Sequence, residues 1–320
     1  MAEEIIRQFK NIYKSDTLIA GGKGASLGEM TRAGISVPKG FIVASNAFET
    51  FLKKSNLKTE INEILSKVDI EKDYTVENAS QIIRAMILSK EIPKDIKDKI
   101  LKNYKKLNIN FVAVRSSATL EDSVFATWAG QLDSFLNTTE ETLLKNVKKC
   151  WASLFTSRAI FYRFKKSLEE DKISVAVVCQ KMIDSEKSGI AFSVHPVTQD
   201  KNKIIIEAGF GLGEAVASGV VTPDSYVVEK RNFNILEINI NKQKKALYKK
   251  SEGGNKWKEI IKEGKKQVLS EREIIRLSKL IIKIENHYGF PCDIEWAKER
   301  EKFYILQSRP ITTLTGKNKF

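Results

Sequence analysis

Between Cys292 and Pro310 the chain reads CDIEWAKEREKFYILQSRP, two runs of alternating apolar and polar residues around a charged centre. A period of two commits a segment to extended backbone, because successive side chains of a strand project to opposite faces. The pair therefore reads as an antiparallel hairpin. Asp293 and Glu295 share one face of the first strand while Ile294 and Trp296 take the other, and Gln307 and Arg309 share a face of the returning strand. Whether the two polar faces coincide depends on the turn. An odd number of loop residues, or a bulge, sets Asp293 beside Gln307 and Glu295 beside Ile305, whereas an even loop opposes the faces. The expectation is an odd loop or a bulge. Two acids and an amide oxygen on adjoining strands then form a hard-oxygen site suited to Mg²⁺, with an arginine one step away to neutralise a transferring phosphoryl group. The same pattern also describes the solvent-facing side of an edge hairpin.

Upstream, the chain divides by composition. Gly21-Gly22-Lys23-Gly24 turns into a helix through Met30, Gly34 supplies a stop, Phe41 to Val43 is extended and Ser45 is placed to cap a second short helix. From Leu57 to Leu107 the pattern is lysine-rich and helical, and FVAVR (Phe111 to Arg115) is a short strand. The polar segment SSATLEDSVFATWAGQ is too long and mixed for a turn, and reads as a lid. An amphipathic helix follows, with Leu143, Leu144, Val147, Trp151, Leu154 and Phe155 as core. Ile173 to Met182 is a strand in which Gln180 points away from Val177 and Cys179. Past a lobe boundary near Lys181 strands dominate: Ile204 to Glu207, Ser225 to Glu229, Ile235 to Ile240 and Ala246 to Lys249, interrupted by GFGLGEAVASG. Ser270 with Glu273 is a capping box for a helix that Gly289 and Pro291 end.

With 320 residues and 42% hydrophobic content, the chain can bury a sizeable core as one two-lobed unit or two domains. No apolar run is long enough to cross a bilayer, and MAEEIIRQFKNIYK is too charged for a signal peptide, so a soluble, cytoplasmic protein is expected. Cys150, Cys179 and Cys292 form no CxxC pair and read as buried free thiols. A formal charge of +14 raises nucleic acid as a partner. The excess is lysine scattered through stretches read as helical, such as Lys94 to Lys106 and Lys242 to Lys266, without a base-reading element, which argues against it.

Three further groups carry chemistry in more than one reading. Lys23 in GGKG sits where glycines let amides approach an anion at a helix start, or is a surface lysine on a glycine turn; the P-loop spacing is missing. Arg115-Ser116-Ser117 at a strand end matches phosphate oxygens, or supplies a structural ion pair. GFGLGEAVASG departs from GxGxxG and lacks a βαβ setting; its Glu214 suits a ribose hydroxyl or is an exposed loop acid. His195 and His287 fit no carrier role, and no hydrolase signature appears.

In order, GGKGASLGEMTRAGISVPKGF, VRSSATLEDSVFATWAGQLDSFLN, GFGLGEAVASGVVTPDSYVV and IEWAKEREKFYILQSRPIT resemble the N-terminal ATP-binding domain of the phosphoenolpyruvate synthase, pyruvate phosphate dikinase and rifampin phosphotransferase family, over almost the whole chain. The resemblance implies an α+β, ATP-grasp fold holding Mg-ATP between two lobes, residues 1–180 and 181–320. It implies that Lys23 and Arg115 bind the triphosphate, Gln180 and the backbone near Met182 the adenine, and Glu295 with Gln307 the Mg²⁺, supported by Asp293. Arg309 would stabilise the phosphoryl in flight, with Gly130 and Ser134 near the nucleotide. It further implies a phosphotransferase acting on a carrier histidine, in trans or in a longer parent enzyme, since no carrier-type histidine stretch is present. A non-catalytic ATP-sensing module is the competing reading from another class.

Overall fold

A computed structural model describes residues 4–119, 132–165 and 174–312. The chain packs as two compact units: Met1–Glu29 with Lys39–Met182 and Glu252–Gly254, and Met30–Pro38 with Ile183–Ser251 and Asn255–Phe320.

The first unit runs β1 (Ile6–Gln8), α1 (Thr17–Arg32), β2 (Gly40–Val43), α2 (Ser45–Lys54), α3 (Leu57–Leu65), α4 (Asp73–Ser89), α5 (Lys94–Leu107), β3 (Val112–Ala118), β4 (Ser134–Thr138), α6 (Glu140–Ala152), α7 (Ser157–Lys165) and β5 (Val175–Lys181). Its strands make one antiparallel sheet ordered β1-β2-β5-β3-β4. Strand alternation buries Phe41, Val43, Val112, Val114, Val175, Val177 and Cys179 with the helices, where Trp151 lies against Phe48 and Phe51 at ring-centroid distances of 5.7 and 5.0 Å. Each such large apolar side chain contributes roughly 1.5–3 kcal/mol by leaving water. Gln180 falls on the opposite face, as alternation requires.

Unit two comprises β6 (Lys187–Phe192), β7 (Lys203–Phe210), α8 (Glu214–Ala217), β8 (Asp224–Glu229), β9 (Ile235–Asn239), β10 (Lys245–Lys249), β11 (Asn255–Glu259), α9 (Glu271–Tyr288), β12 (Cys292–Glu299) and β13 (Lys302–Pro310). Six strands form an antiparallel sheet ordered β13-β12-β6-β7-β8-β9, and β10 with β11 forms a separate hairpin. The helix α9 opens on the capping box of Ser270 and Glu273, ends at Gly289 in the left-handed region (φ 77°), and buries Ile274, Leu277, Ile281 and Ile284. The mixed α/β architecture with antiparallel sheets agrees with the α+β expectation. The three cysteines are buried and free, and burial pushes the Cys150 and Cys292 thiols up to about 12.

Several expectations need correction. Ser45 is the first residue of α2 and not its cap: the preceding Ala44 holds the cap position, while the Ser45 hydroxyl donates to the Leu18 carbonyl at 2.7 Å. Residues 242–266 are not helical; lysine content misled there, and the segment is the β10–β11 hairpin with a short 3-10 turn. Ser116 to Ala118, read as part of the lid, belong to β3, and most of the remaining lid segment lies outside the described residues. Finally, β12 and β13 join through a bulge as expected, but with a different register: Asp293 opposes Arg309 and Glu295 opposes Gln307. The turn between Glu299 and Lys302 has the even length of two, and the register shift between Glu295 and Trp296 leaves Leu306 as the extra residue. No described helix is long and apolar enough to cross a membrane.

Candidate functional site

In the first unit the predicted residues gather on the sheet face away from the helical core. Helix α1 breaks at Gly21 (φ 68°, ψ 172°), and a Cβ there would stand 2.2 Å from the Ser117 carbonyl oxygen. Glycine is the residue that tolerates both the positive φ and the close approach. The Ser117 hydroxyl pins both sides of the break: it donates to the Ala20 carbonyl at 2.8 Å and accepts from the Gly24 amide at 3.1 Å. Lys23 thus sits in the first turn of the resumed helix, where the backbone presents positive dipole ends. On β3, Arg115 pairs with Ser134 on one side and Val178 on the other, so Arg115 and Ser134 share a face with Ser117. Gln180 pairs with Gly40 and Ala113 on that face and is 2% exposed, and its Nε2 makes no hydrogen bond among the described residues. A buried amide donor without a partner is costly, which favours an acceptor supplied by a ligand or water. The Met182 amide is committed to the Phe111 carbonyl at 3.1 Å. Gly130 lies outside the described residues.

In the second unit the hairpin face carries the remaining groups. Arg309 donates through Nε and Nη2 to the same Asp293 oxygen, Oδ2, at 2.8 and 2.7 Å, leaving Oδ1 without a hydrogen bond among the described residues. Glu295 and Gln307 are direct cross-strand partners, and Gln307 is buried. The row continues from Glu295 through Ile190 on β6 to Glu207 on β7, which places a third carboxylate on this face. Burial raises the Asp293 carboxyl; Arg309 pulls it back and the Glu295 charge pushes it up. Glu207 is also raised, by burial first and then by the charge of Asp293. Carboxylates that repel one another in this way gain from an added cation. Among the described residues no three His, Cys, Asp or Glu side chains converge closely enough to hold a metal by themselves. The oxygen donors that the face does offer, Glu295, the Gln307 amide and Asp293 Oδ1, are of the hard kind that Mg²⁺ takes alongside several waters.

Glu207 was not anticipated. Its signal was an acid inside the apolar run IIIEAGF, which a strand with one buried face tolerates only on its other face. Glu214 is exposed at the first position of α8 and accepts from Asn255 Nδ2 at 3.0 Å. His195 serves its own turn, with Nδ1 accepting from the amides of Val197 and Thr198.

Comparison with known proteins bears on this arrangement. The family described as pyruvate phosphate dikinase, AMP/ATP-binding domain, matches residues 17–319. The chain is 44% identical over 319 residues to a probable phosphoenolpyruvate synthase of Methanocaldococcus jannaschii, covering 97% of this chain and 27% of the relative. It is 39% identical over 368 residues to the phosphoenolpyruvate synthase of Pyrococcus furiosus, covering 98% of this chain and 44% of the relative. A rifampicin phosphotransferase of Bacillus cereus is 39% identical over 313 residues, covering 97% of this chain and 36% of the relative. The chain therefore spans less than half the length of each of these curated relatives.

Proposed function

The chain belongs to the pyruvate phosphate dikinase AMP/ATP-binding domain family, and on that premise we propose that it is the nucleotide-handling part of a phosphotransferase, cleaving Mg-ATP and passing phosphoryl to a histidine on another domain or protein. The fold reading that goes with this is ATP-grasp, and the setting that goes with ATP as substrate is the cytoplasm. The observation that carries the proposal is the single hairpin face on which Asp293, Glu295, Gln307 and Arg309 stand together.

Phosphoryl transfer asks a protein mainly for positioning and for neutralisation of spread negative charge. Lys23 and Arg115 would hold the triphosphate, with Ser134 and Gly130 beside it. The partnerless Nε2 of Gln180 supports a contact with a ring nitrogen of adenine, joined by the main chain near Met182, and Glu214 would meet the ribose. Glu295 and Gln307, with Oδ1 of Asp293, would hold Mg²⁺, which would supply positive charge against the phosphate oxygens. Arg309, aimed by its two hydrogen bonds to Asp293, would neutralise the phosphoryl group as it leaves ADP or AMP. Acceptor choice lies outside these residues, so a rifampicin-type hydroxyl acceptor, favoured by the Bacillus cereus relative, stands as the second reading beside pyruvate.

Phosphorus NMR of the chain with Mg-ATP, with and without a separately produced carrier-histidine domain of a related synthase, tests the proposal. AMP, phosphohistidine and orthophosphate, the last from water taking the remaining phosphoryl group, are expected only with the carrier. Arg309→Ala should slow their formation roughly 10²–10³-fold while ATP affinity changes by only a few-fold. ATP that binds but stays uncleaved with every carrier tried would replace catalysis with ATP sensing.

A further inference from the structure

Half of the net charge of the chain is concentrated in one small element. Residues 242–266 hold ten lysines against three glutamates and no arginine, a surplus of seven in a chain whose formal charge is +14. In the fold this segment is the hairpin of β10 and β11 with its flanks. Cross-strand pairing of Ala246 with Lys258 and Tyr248 with Lys256 sends Lys256 and Lys258 to one face, and every residue of β11 from Lys256 to Glu259 is exposed. Lys242, Lys244, Lys256, Lys258, Lys262, Lys265 and Lys266 are all exposed, and none is ion-paired with an acid among the described residues. Three lysines on the sheet and its flanks in this unit are neutralised, Lys187 and Lys298 by Glu273 and Lys230 by Glu285, and within the hairpin Lys249 pairs with Asp184.

The hairpin is also tied to the candidate site. Leu247 of β10 bridges Gly211, its carbonyl accepts from the Leu212 amide at 2.8 Å, and Asn255 of β11 donates to Glu214. A partner seated on the hairpin therefore touches the element that braces the glycine-rich loop.

We propose that the β10–β11 hairpin is an electrostatic docking surface for an acidic face of the protein or domain that receives the phosphoryl group, a proposal that rests on the phosphotransferase reading. A dense array of unneutralised lysines raises encounter rates with an acidic partner and orients it. Lysine is also used to guard exposed strand edges against aggregation, but an edge needs a few charges, and this segment carries ten. Protein is favoured over nucleic acid by chemistry: arginine is absent, and Trp257, one face of which is taken by Lys245 with Nζ 4.5 Å from the ring centroid, offers a single remaining face. Binding of single strands uses successive aromatic platforms on which bases stack.

The experiment measures binding and transfer separately, with the full chain and a carrier-histidine domain of a related synthase at 20 and 200 mM NaCl. Calorimetry should show carrier affinity falling at least ten-fold between the two salts. A variant with Lys244→Glu, Lys256→Glu, Lys258→Glu and Lys262→Glu should bind at least ten-fold more weakly at low salt, and the matching Lys→Gln variant should fall between, with ATP affinity unchanged in both. Carrier binding that is absent, salt-independent or unaffected by charge reversal overturns the docking surface, whatever the transfer assay shows. Tighter binding of a single-stranded oligonucleotide than of carrier at the same salt overturns it in favour of nucleic acid. Salt-sensitive binding lost on charge reversal, without phosphohistidine formation, upholds the surface and removes the catalytic reading instead.

Discussion

Glu273 shows how much one side chain can carry away from any reaction. Its carboxylate accepts from Lys187 Nζ at 2.8 Å, from Lys298 Nζ at 3.0 Å and from the Ser270 amide at 2.8 Å, with the Lys298 side chain 5% exposed. Burial alone would raise its pKa; the hydrogen bonds from Lys187, the Ser270 amide and Lys298 outweigh that and bring it down to about 2 from the ordinary 4.5. A depressed carboxyl binds fewer protons folded than unfolded, so its stabilisation is complete above the unfolded value and is lost as pH falls toward 2. Discounted for solvent screening of a carboxylate that is only partly buried, the difference corresponds to roughly 1–3 kcal/mol. Glu273→Gln should cost roughly 2–4 kcal/mol at pH 7, because the buried Lys298 and the half-buried Lys187 ammonium groups lose their partner, and the gap to the parent should close between pH 5 and 2. Urea midpoints across that range check it, and two curves that fall in parallel would exclude Glu273 as the source. At this scale the sequence was most legible where alternation decides: the shared face of Asp293, Glu295, Gln307 and Arg309 follows from a period of two once a bulge is admitted. Glu273 was legible only as a helix cap, since its two lysines come from Lys187 and Lys298, far off in the chain.

Elements show the same division between local and distant causes. The capped helix α9 and the strands β3, β5, β7 and β8 announce themselves through periodicity and turn residues. By contrast β6, reading KSGIAF, has weak strand propensity in its first half yet is central in its sheet. Gly189 explains it, since a Cβ there would meet the Glu207 carbonyl oxygen at 1.9 Å, so the glycine serves a close approach that only the assembled sheet reveals. The break in α1 is of this kind too. GGKG suggested a helix start, and a helical stretch does resume there; what the sequence did not show is the turn of helix from Thr17 that precedes it, divided from it at Gly21 because Ser117 of β3 holds both sides. Gly21→Ala should therefore cost more than a positive φ alone. Gly34 has the same φ of 68° and nothing within 4 Å of an added Cβ, so Gly34→Ala is the reference for a positive φ alone, roughly 1–2 kcal/mol, to which Gly21 adds a ψ of 172° and the Ser117 contact. Gly21→Ala should exceed it by about 1 kcal/mol or more and weaken ATP binding by displacing Lys23. Equal denaturation midpoints for the two variants would mean that the Ser117 contact relaxes without cost.

Across the whole molecule, charge is the property that the sequence states most plainly and locates most poorly. The value of +14 is a sum, half of which can be counted within residues 242–266; the hairpin register shows that this stretch folds back on itself as paired strands. An unfolded chain spreads those ten lysines along flexible backbone, whereas the folded hairpin holds them on two paired strands and their flanks. Folding thus brings like charges together, and that repulsion opposes the native state in proportion to how little it is screened. The Debye length shortens from about 30 Å at 0.01 M salt to about 8 Å at 0.15 M, which spans the dimensions of such a hairpin. The thermal midpoint should rise by about 2–4 °C as NaCl goes from 10 to 150 mM, the shift that about 1 kcal/mol gives a protein somewhat smaller than this one. Replacing Lys244, Lys256, Lys258 and Lys262 with glutamine should raise the midpoint at 10 mM and remove at least half of the salt-induced gain. If instead the variant gains as much from salt as the parent, the destabilising repulsion lies elsewhere on the surface, and α5, whose Lys105 reaches Glu140 and whose Asp95 accepts from Lys54, is the next element whose neutralisation would have to be measured.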